Sequence, residues 1–172
     1  MELIILGAGG FGQTIADVAD QLGRYDRIRF LDDKARGENI LGTCGEFGDY
    51  VAPDTEFYPA FGDNQVRLTW LERLLRQDCR VATLIHPQAY VSPRASIGTG
   101  TVVLPKAAVN TGTKVGRGCI LNMGALVDHG CELHDGVHVC LGAVIKAENQ
   151  IPALTKVESG TVIERATCKG EK

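Results

Sequence analysis

"ILNMGALVDHGCELHDGVHVCLGAVI", residues 120–145, places an aliphatic residue at every sixth position: Leu121, Val127, Leu133, Val139 and Ile145. The step runs back through Val115, Val109, Val103, Ile97 and Val91 to Ile85, and forward through Ile151 and Val157 to Ile163. Four places after most of these comes a small residue, among them Ala89, Ala95, Thr101, Ala107, Thr113, Cys119, Ala125, Cys131 and Ala143. An aliphatic and small pair repeated every six residues is the signature of a parallel β-helix. Each repeat is a short strand plus a turn, and stacking buries a continuous core. Three repeats close one triangular coil, so the run predicts a little over four coils. The narrow interior has no room for rings, and all ten aromatic residues lie at or before Tyr90. A β-sandwich would require period-two alternation and irregular turn lengths, which this stretch lacks.

The first half follows another grammar. "LIILGAG" reads as a buried strand, "GFGQTIADVADQLG" as a helix, and "RIRFLDD" as a second strand, which makes a β-α-β unit. "DTEFYPAFGD" supplies a third strand, and "NQVRLTWLERLLRQ" an amphipathic helix with Val66, Trp70, Leu71, Leu74 and Leu75 on one side. "CRVATLIHP" is a short strand leading into the repeats. The reading is a small Rossmann-like parallel α/β sheet over 1–84, followed by a hexapeptide β-helix over 85–172.

Gly7, Gly9 and Gly12 satisfy GxGxxG between strand and helix, with Asp32 and Asp33 at the end of the next strand. Such glycines let backbone approach a diphosphate at a helix N-terminus, while a carboxylate takes ribose hydroxyl hydrogen bonds. Fewer than ninety residues make one mononucleotide-binding half, so a nucleotide-sugar fits better than a dinucleotide. A tight turn with no ligand is the plainer alternative. "FGDN" at 61–64 falls at another strand-to-helix junction on the same sheet edge. Arg67 behind it is either part of that site or a solvated helix charge.

Eighteen basic against 21 acidic residues, with no Lys/Arg block, argue against nucleic acid and anionic lipid as partners. The N-terminus has neither a basic n-region nor an apolar span, which points to the cytoplasm and away from membranes. No CxxC pair occurs among the six cysteines, so reduced thiols are expected. By register, Cys119 and Cys131 belong to the core, and Cys140 to a more exposed place.

The histidines raise the question of zinc. The γ-class carbonic anhydrases are hexapeptide solenoids with three histidine ligands, and His129 and His134 have a suitable separation. The place of the third ligand holds Ser92, Pro93 and Arg94, which cannot complete a catalytic zinc site. A single histidine base needs less, since an imidazole pKa near ~6.5 takes a proton at neutral pH. His129, in "VDHGC", is the candidate, and His134 reads as a surface turn residue.

"GAGGFG", "LDD" at 31–33, "GDNQVR" at 62–67, "LIHPQAYVSPRASIGTGTVV", "LNMGALVDHGC" and "HVCLGAV" together resemble the bacterial sugar O-acyltransferases of the sialic acid O-acetyltransferase type. That family includes nucleotide-aminosugar N-acetyltransferases of bacillosamine and perosamine biosynthesis. The resemblance covers nearly the whole chain. It implies a left-handed β-helix, a homotrimer with active sites between subunits, acetyl-CoA as co-substrate, no metal, and a UDP- or other nucleotide-linked 4-aminosugar as acceptor.

Carried over, His129 resembles the general base, Asn122 a residue orienting sugar or water, and His138 a residue beside the thioester. Gly142, Ala143 and Ala147 join His138 in holding acetyl-CoA, with N–H groups near Ala147 facing the oxyanion. Gly9, Gly10, Phe11, Gly12, Asp32, Asp33, Gly62 and Asn64 hold the nucleotide-sugar. The chain departs from the family at Gly130, where an acidic residue is usual, at Ala147, where glycine is usual, and in lacking a "GNPAK"-like ending. The alternatives are acetyl transfer to a sugar hydroxyl, or a nucleotide-sugar-binding trimer with weakened catalysis.

Overall fold

The computed structural model describes residues 1–165. The segment 166–172, which contains Cys168 and the place of the family ending, lies outside them. The N-terminal part contains β1 (Glu2–Leu6), α1 (Gly10–Leu22), β2 (Arg27–Leu31), β3 (Ile40–Gly42), a 3-10 helix (Cys44–Tyr50), β4 (Thr55–Pro59) and α2 (Asn64–Leu75). The sheet order is β3-β2-β1-β4, and all pairs are parallel. Strand β3 and the 3-10 helix carry no strong periodic signal in the sequence. "CRVATLIHP" forms only a bridge from Val81 to Phe57 before the first solenoid strand begins at Leu84.

From there fourteen two-residue strands follow at six-residue intervals, from Leu84–Ile85 to Val162–Ile163. They stack as three parallel sheets, each strand pairing with the one eighteen residues on, as in Ile120↔His138 and His138↔Lys156. The second residue of each strand points inward, and the fourteen aliphatics of the six-residue step form one core with the small corner residues. Thr101 and Thr113 are buried corners whose hydroxyls donate to the carbonyls of Gly116 and Asp128, which satisfies them. Asn149 is a buried corner too, donating to the carbonyls of Lys146 and Glu164.

The first residue of each strand points outward, and this gives the three faces distinct characters. One carries Ser96, Lys114, Glu132 and Gln150 and is polar. A second carries Leu84, Val102, Ile120, His138 and Lys156. Its upper apolar half packs under Leu3, Ile5 and Ile15 of the N-terminal sheet and α1. The two parts therefore share a core, and we call this the docked face. The third carries Tyr90, Ala108, Leu126, Val144 and Val162 and is apolar, yet no described residue packs over it.

The other side of the N-terminal sheet packs Ile4 and Leu6 against Phe47, Phe57 and Leu74. Helix α2 inverts part of its expected pattern: Val66 is 42% exposed and Arg67 is fully buried. The reason is that α2 serves two neighbours. Leu71 and Leu74 face the sheet and the solenoid corner, while the 67 position points into the seam, where a long donor reaches backbone oxygens that an aliphatic would leave unpaired. At that corner a Cβ on Gly100 or Gly118 would meet Leu71 at 2.9 and 3.0 Å, and both glycines have positive φ. Glycine there satisfies the turn and the docking together.

Candidate active site

The β1–α1 loop contains two kinds of glycine. Gly7 has φ +98°, and a Cβ on Gly12 would lie 2.0 Å from the Gly7 carbonyl oxygen, so the turn itself requires both. Gly9 and Gly10 have neither constraint, and open space surrounds them; the same is true of Gly62 in the neighbouring β4–α2 loop. These three leave bare backbone along the carboxyl edge of the sheet, where ligands of open parallel sheets bind. Phe11 is half-buried between them and the core.

Asp32 serves the fold first. It accepts from the amides of Ala8 (2.7 Å), Lys34 (2.8 Å) and Ala35 (2.7 Å), tying the two loops together. The Ala35 and Ala8 amides hold its carboxyl below the usual range. Asp33 accepts from the Cys44 amide at 2.9 Å and is exposed. Asn64 is likewise committed within the chain: its Oδ1 accepts from Arg67 (2.8 Å) and its Nδ2 donates to the Leu154 carbonyl (2.9 Å). Gly62, Asp63, Asn64, Leu154 and Lys156 line a cleft of ≈ 400 Å³ between this loop and the lower docked face.

His138 lies on that face one coil above Lys156 and is half-buried. Asn122 stands at the corner between docked and apolar faces. Its Oδ1 accepts from the Met123 amide (2.9 Å), which turns its Nδ2 toward His138 Nε2 at 3.3 Å. His138 Nε2 is then the acceptor and Nδ1 bears the proton, in a buried position with no partner among the described residues. Burial, with the charges of Arg67 and Lys156, pushes its pKa down to about 4, so the ring is neutral at physiological pH. Gly142, on the same corner a coil below, is open, with φ +62°. The Ala143 side chain points into the core, which leaves only its backbone for a ligand. Met123 and Leu141 project beside this glycine edge, both about half exposed.

His129 is elsewhere. It lies at the corner between apolar and polar faces, across the two-residue strand Leu126–Val127 from Asn122. Asn122, His129 and His138 therefore do not gather on one edge within the chain: they occupy both edges of the apolar face. The imidazole is exposed, and its backbone N–H donates to Asp128 Oδ1 (2.7 Å), which also accepts from Asn110 (3.0 Å). Those two donors hold the Asp128 carboxyl below its ordinary range. Ala147 stacks one coil beneath His129, buried, with its N–H toward Asp128.

Cys140 is 5% exposed, not the more accessible thiol its register suggests, and burial raises its pKa. The cause is the coil below, which covers its corner: the Cys140 amide donates to the Val157 carbonyl. His134 is an exposed turn residue on the third corner, and His86 is buried, engaged with Gln21 (2.8 Å) and the Gln88 amide (3.0 Å). Among the described residues no three His, Cys, Asp or Glu side chains gather as a metal site. No described helix is long and apolar enough to cross a membrane. Sequence reasoning missed the docking roles of Arg67 and Asn64, for which "DNQVR" contains no periodic signal.

A small parallel sheet whose open loops face a hexapeptide β-helix, with histidines at the solenoid corners, defines a β-helix acyltransferase. Residues 2–74 match the PglD N-terminal domain family. The chain is 32% identical to the acetyltransferase domain of PglB from Neisseria gonorrhoeae, with a TM-score of 0.87 over 95% of this chain and 91% of that one. The same domain in complex with acetyl coenzyme A matches with a TM-score of 0.85. The protein belongs to this acetyltransferase family, and its solenoid is the left-handed β-helix. A curated relative, UDP-N-acetylbacillosamine N-acetyltransferase of Bacillus subtilis, is 34% identical over 110 residues, 60% of this chain and 51% of that protein. A mutant of GDP-perosamine N-acetyl transferase from Caulobacter crescentus, with CoA and GDP-perosamine, has the same fold. It is 22% identical, with a TM-score of 0.82 over 96% of this chain and 89% of that one.

Proposed function

We propose that the protein is an acetyl-CoA-dependent N-acetyltransferase of a UDP-linked 4-aminosugar, working as a homotrimer with its active sites between subunits. The observation that carries this reading is the uncovered apolar face. Tyr90, Leu126 and Val162 are 58%, 45% and 48% exposed along one sheet, above a groove of ≈ 350 Å³ lined also by Asn110, Asp128 and Lys146. Such a stripe on a soluble chain marks an interface. Closing it against a second copy brings the His129 corner of one subunit to the Asn122–His138 corner of the next, completing a site that each chain holds in halves. The relatives supply the substrate class: a UDP-aminosugar acetyltransferase and an acetyl-CoA complex.

The bare backbone at Gly9, Gly10 and Gly62 receives the diphosphate and nucleoside, with Asp33 available to a ribose hydroxyl. The sugar amine then lies over the docked face near His138, where proximity provides much of the rate. The pantetheine arm runs along the glycine edge of Gly142, between Met123 and Leu141. The amine nitrogen attacks the thioester carbonyl carbon, and His129 of the adjacent subunit takes the amine proton. Ala147 N–H, one coil beneath that base, is directed at Asp128 and supports the turn that carries His129 rather than facing the oxyanion. Collapse breaks the C–S bond, forms the amide and releases CoA, which takes up a proton. His138, neutral and aligned by Asn122, packs against the acetyl group without competing for that proton. Incubation with acetyl-CoA and a UDP-4-amino-4-deoxysugar should release CoA and yield the acetamido sugar. Binding of the UDP-sugar with no CoA release would leave a nucleotide-sugar-binding protein instead.

A further inference from the structure

Arg67 heads the fully buried side chains by volume, and every hydrogen bond it makes is to a neutral oxygen. Nε donates to the Gly118 carbonyl (2.7 Å), and one terminal nitrogen to the carbonyls of Phe61 (2.9 Å) and Gly62 (3.4 Å). The other donates to Asn64 Oδ1 (2.8 Å) and the Gly136 carbonyl (3.0 Å). Gly118 and Gly136 are eighteen residues apart, so the guanidinium spans two successive coils and holds the 61–64 loop with its remaining donors. Asn64 extends the lock to a third coil through Leu154.

Docking alone does not require this. Leu68 and Leu71 already pack α2 onto the same corner glycines, and a buried cation costs free energy that an aliphatic of similar size avoids. What the planar fork adds is direction, because its fixed donors define the loop's position on the solenoid in a way that greasy contact does not. The loop it fixes ends in Gly62, whose bare backbone faces the cleft shared with the lower docked face.

We propose that Arg67 is a positioning residue for acetyl transfer, locking the acceptor-binding loop to two solenoid coils and so setting the acceptor amine's place relative to His138. The inference rests on the acetyltransferase reading. A second consequence follows because Arg67 forms no ion pair among the described residues. The groups facing His138 are Arg67 from α2, Lys156 and Glu158 from the coil below, and Asn122 from its own corner. Of these, the Arg67 charge is the largest electrostatic influence keeping the ring neutral.

Two variants separate the roles. Arg67→Lys keeps the charge and loses the fork; Arg67→Met loses both. Kinetics with acetyl-CoA and a UDP-4-amino-4-deoxysugar, per folded protein measured by circular dichroism, should show kcat lowered about 100-fold in Arg67→Lys, with the acetyl-CoA KM within about twofold of wild type. An NMR titration of ¹³C-labelled histidine should show the His138 midpoint rising in Arg67→Met and staying low in Arg67→Lys. Unchanged kcat per folded Arg67→Lys protein would overturn the proposal and leave Arg67 a purely structural residue. Should that variant not fold, Asn64→Ala, which removes one guanidinium acceptor and the Leu154 anchor, carries the same kinetic expectation and the same overturning result. If the wild type itself transfers no acetyl group, the acetyltransferase reading fails. The lock is then judged by UDP binding, and an affinity unchanged in folded Arg67→Lys overturns it.

Discussion

The corner carrying His129 and the corner carrying Asn122 and His138 are cut from the same six-residue unit, yet they treat their side chains differently. At the first, the imidazole is exposed beside Asp128, whose carboxylate accepts from its own turn and from Asn110. At the second, Asn122 and His138 hold each other, one ring nitrogen is buried without a partner among the described residues, and the N-terminal domain stands close by. The first corner offers an exposed imidazole, and the second a half-buried, neutral one. A solenoid can therefore set different chemistry on two edges of one sheet, and the proposed trimer would reunite them.

The sharpest way to break this comparison is complementation. His129→Ala and His138→Ala should each lower kcat, the first by about 10³-fold, as expected for loss of a general base. Co-refolding the two inactive variants should restore about a quarter of wild-type activity, because random assembly leaves that share of interfaces with both halves intact. Recovery no better than the single variants would place the whole site within one chain. Next in size, Leu126→Arg puts a charge on the apolar face and should break the proposed trimer into monomers in light scattering, with activity lost and the far-ultraviolet spectrum kept.

A smaller effect sharpens the contrast between the two kinds of glycine. Gly12→Ala forces a Cβ into the Gly7 carbonyl and should lower the melting temperature by roughly 10 °C or more. Gly9→Ala meets open space, so it should leave stability nearly unchanged and weaken UDP-sugar binding. Equal destabilisation by both would remove the distinction.

The smallest expected effect concerns pH. His138 has a folded pKa near 4, below its unfolded value of about 6.5, so between these limits the unfolded chain binds more protons. Stability should fall as pH drops from about 6.5 toward 4, and His138→Gln should flatten that part of a thermal-denaturation profile. An unaltered slope in the variant would assign the acid sensitivity to other groups.

The solenoid is legible in the sequence because its rule is local. One aliphatic step of six predicts all fourteen inward positions, and the register alone assigns Cys119 and Cys131 to the core. The outward positions follow the same arithmetic, but which face is docked and which uncovered depends on the N-terminal domain, and no six-residue window contains that information. The three candidate residues likewise stand out in the sequence one at a time. Their separation across the apolar face follows from counting corners in three dimensions. Arg67 is illegible for a different reason: among helical residues a charge reads as solvated, and two of the oxygens that make its burial tolerable, the carbonyls of Gly118 and Gly136, lie more than fifty residues away.

The five described cysteines are all reduced and buried, and they are spread through the molecule: Cys44 and Cys79 in the N-terminal part, then Cys119, Cys131 and Cys140 at three different solenoid corners. Each is a dark lamp that lights only when its own neighbourhood opens. In a coil stacked by nearest-neighbour contacts, unwinding from an end exposes such thiols in spatial order. Pulsed alkylation with mass-spectrometric readout would therefore film the unzipping of the solenoid, and show whether the docked domain parts from it before or after the coils give way.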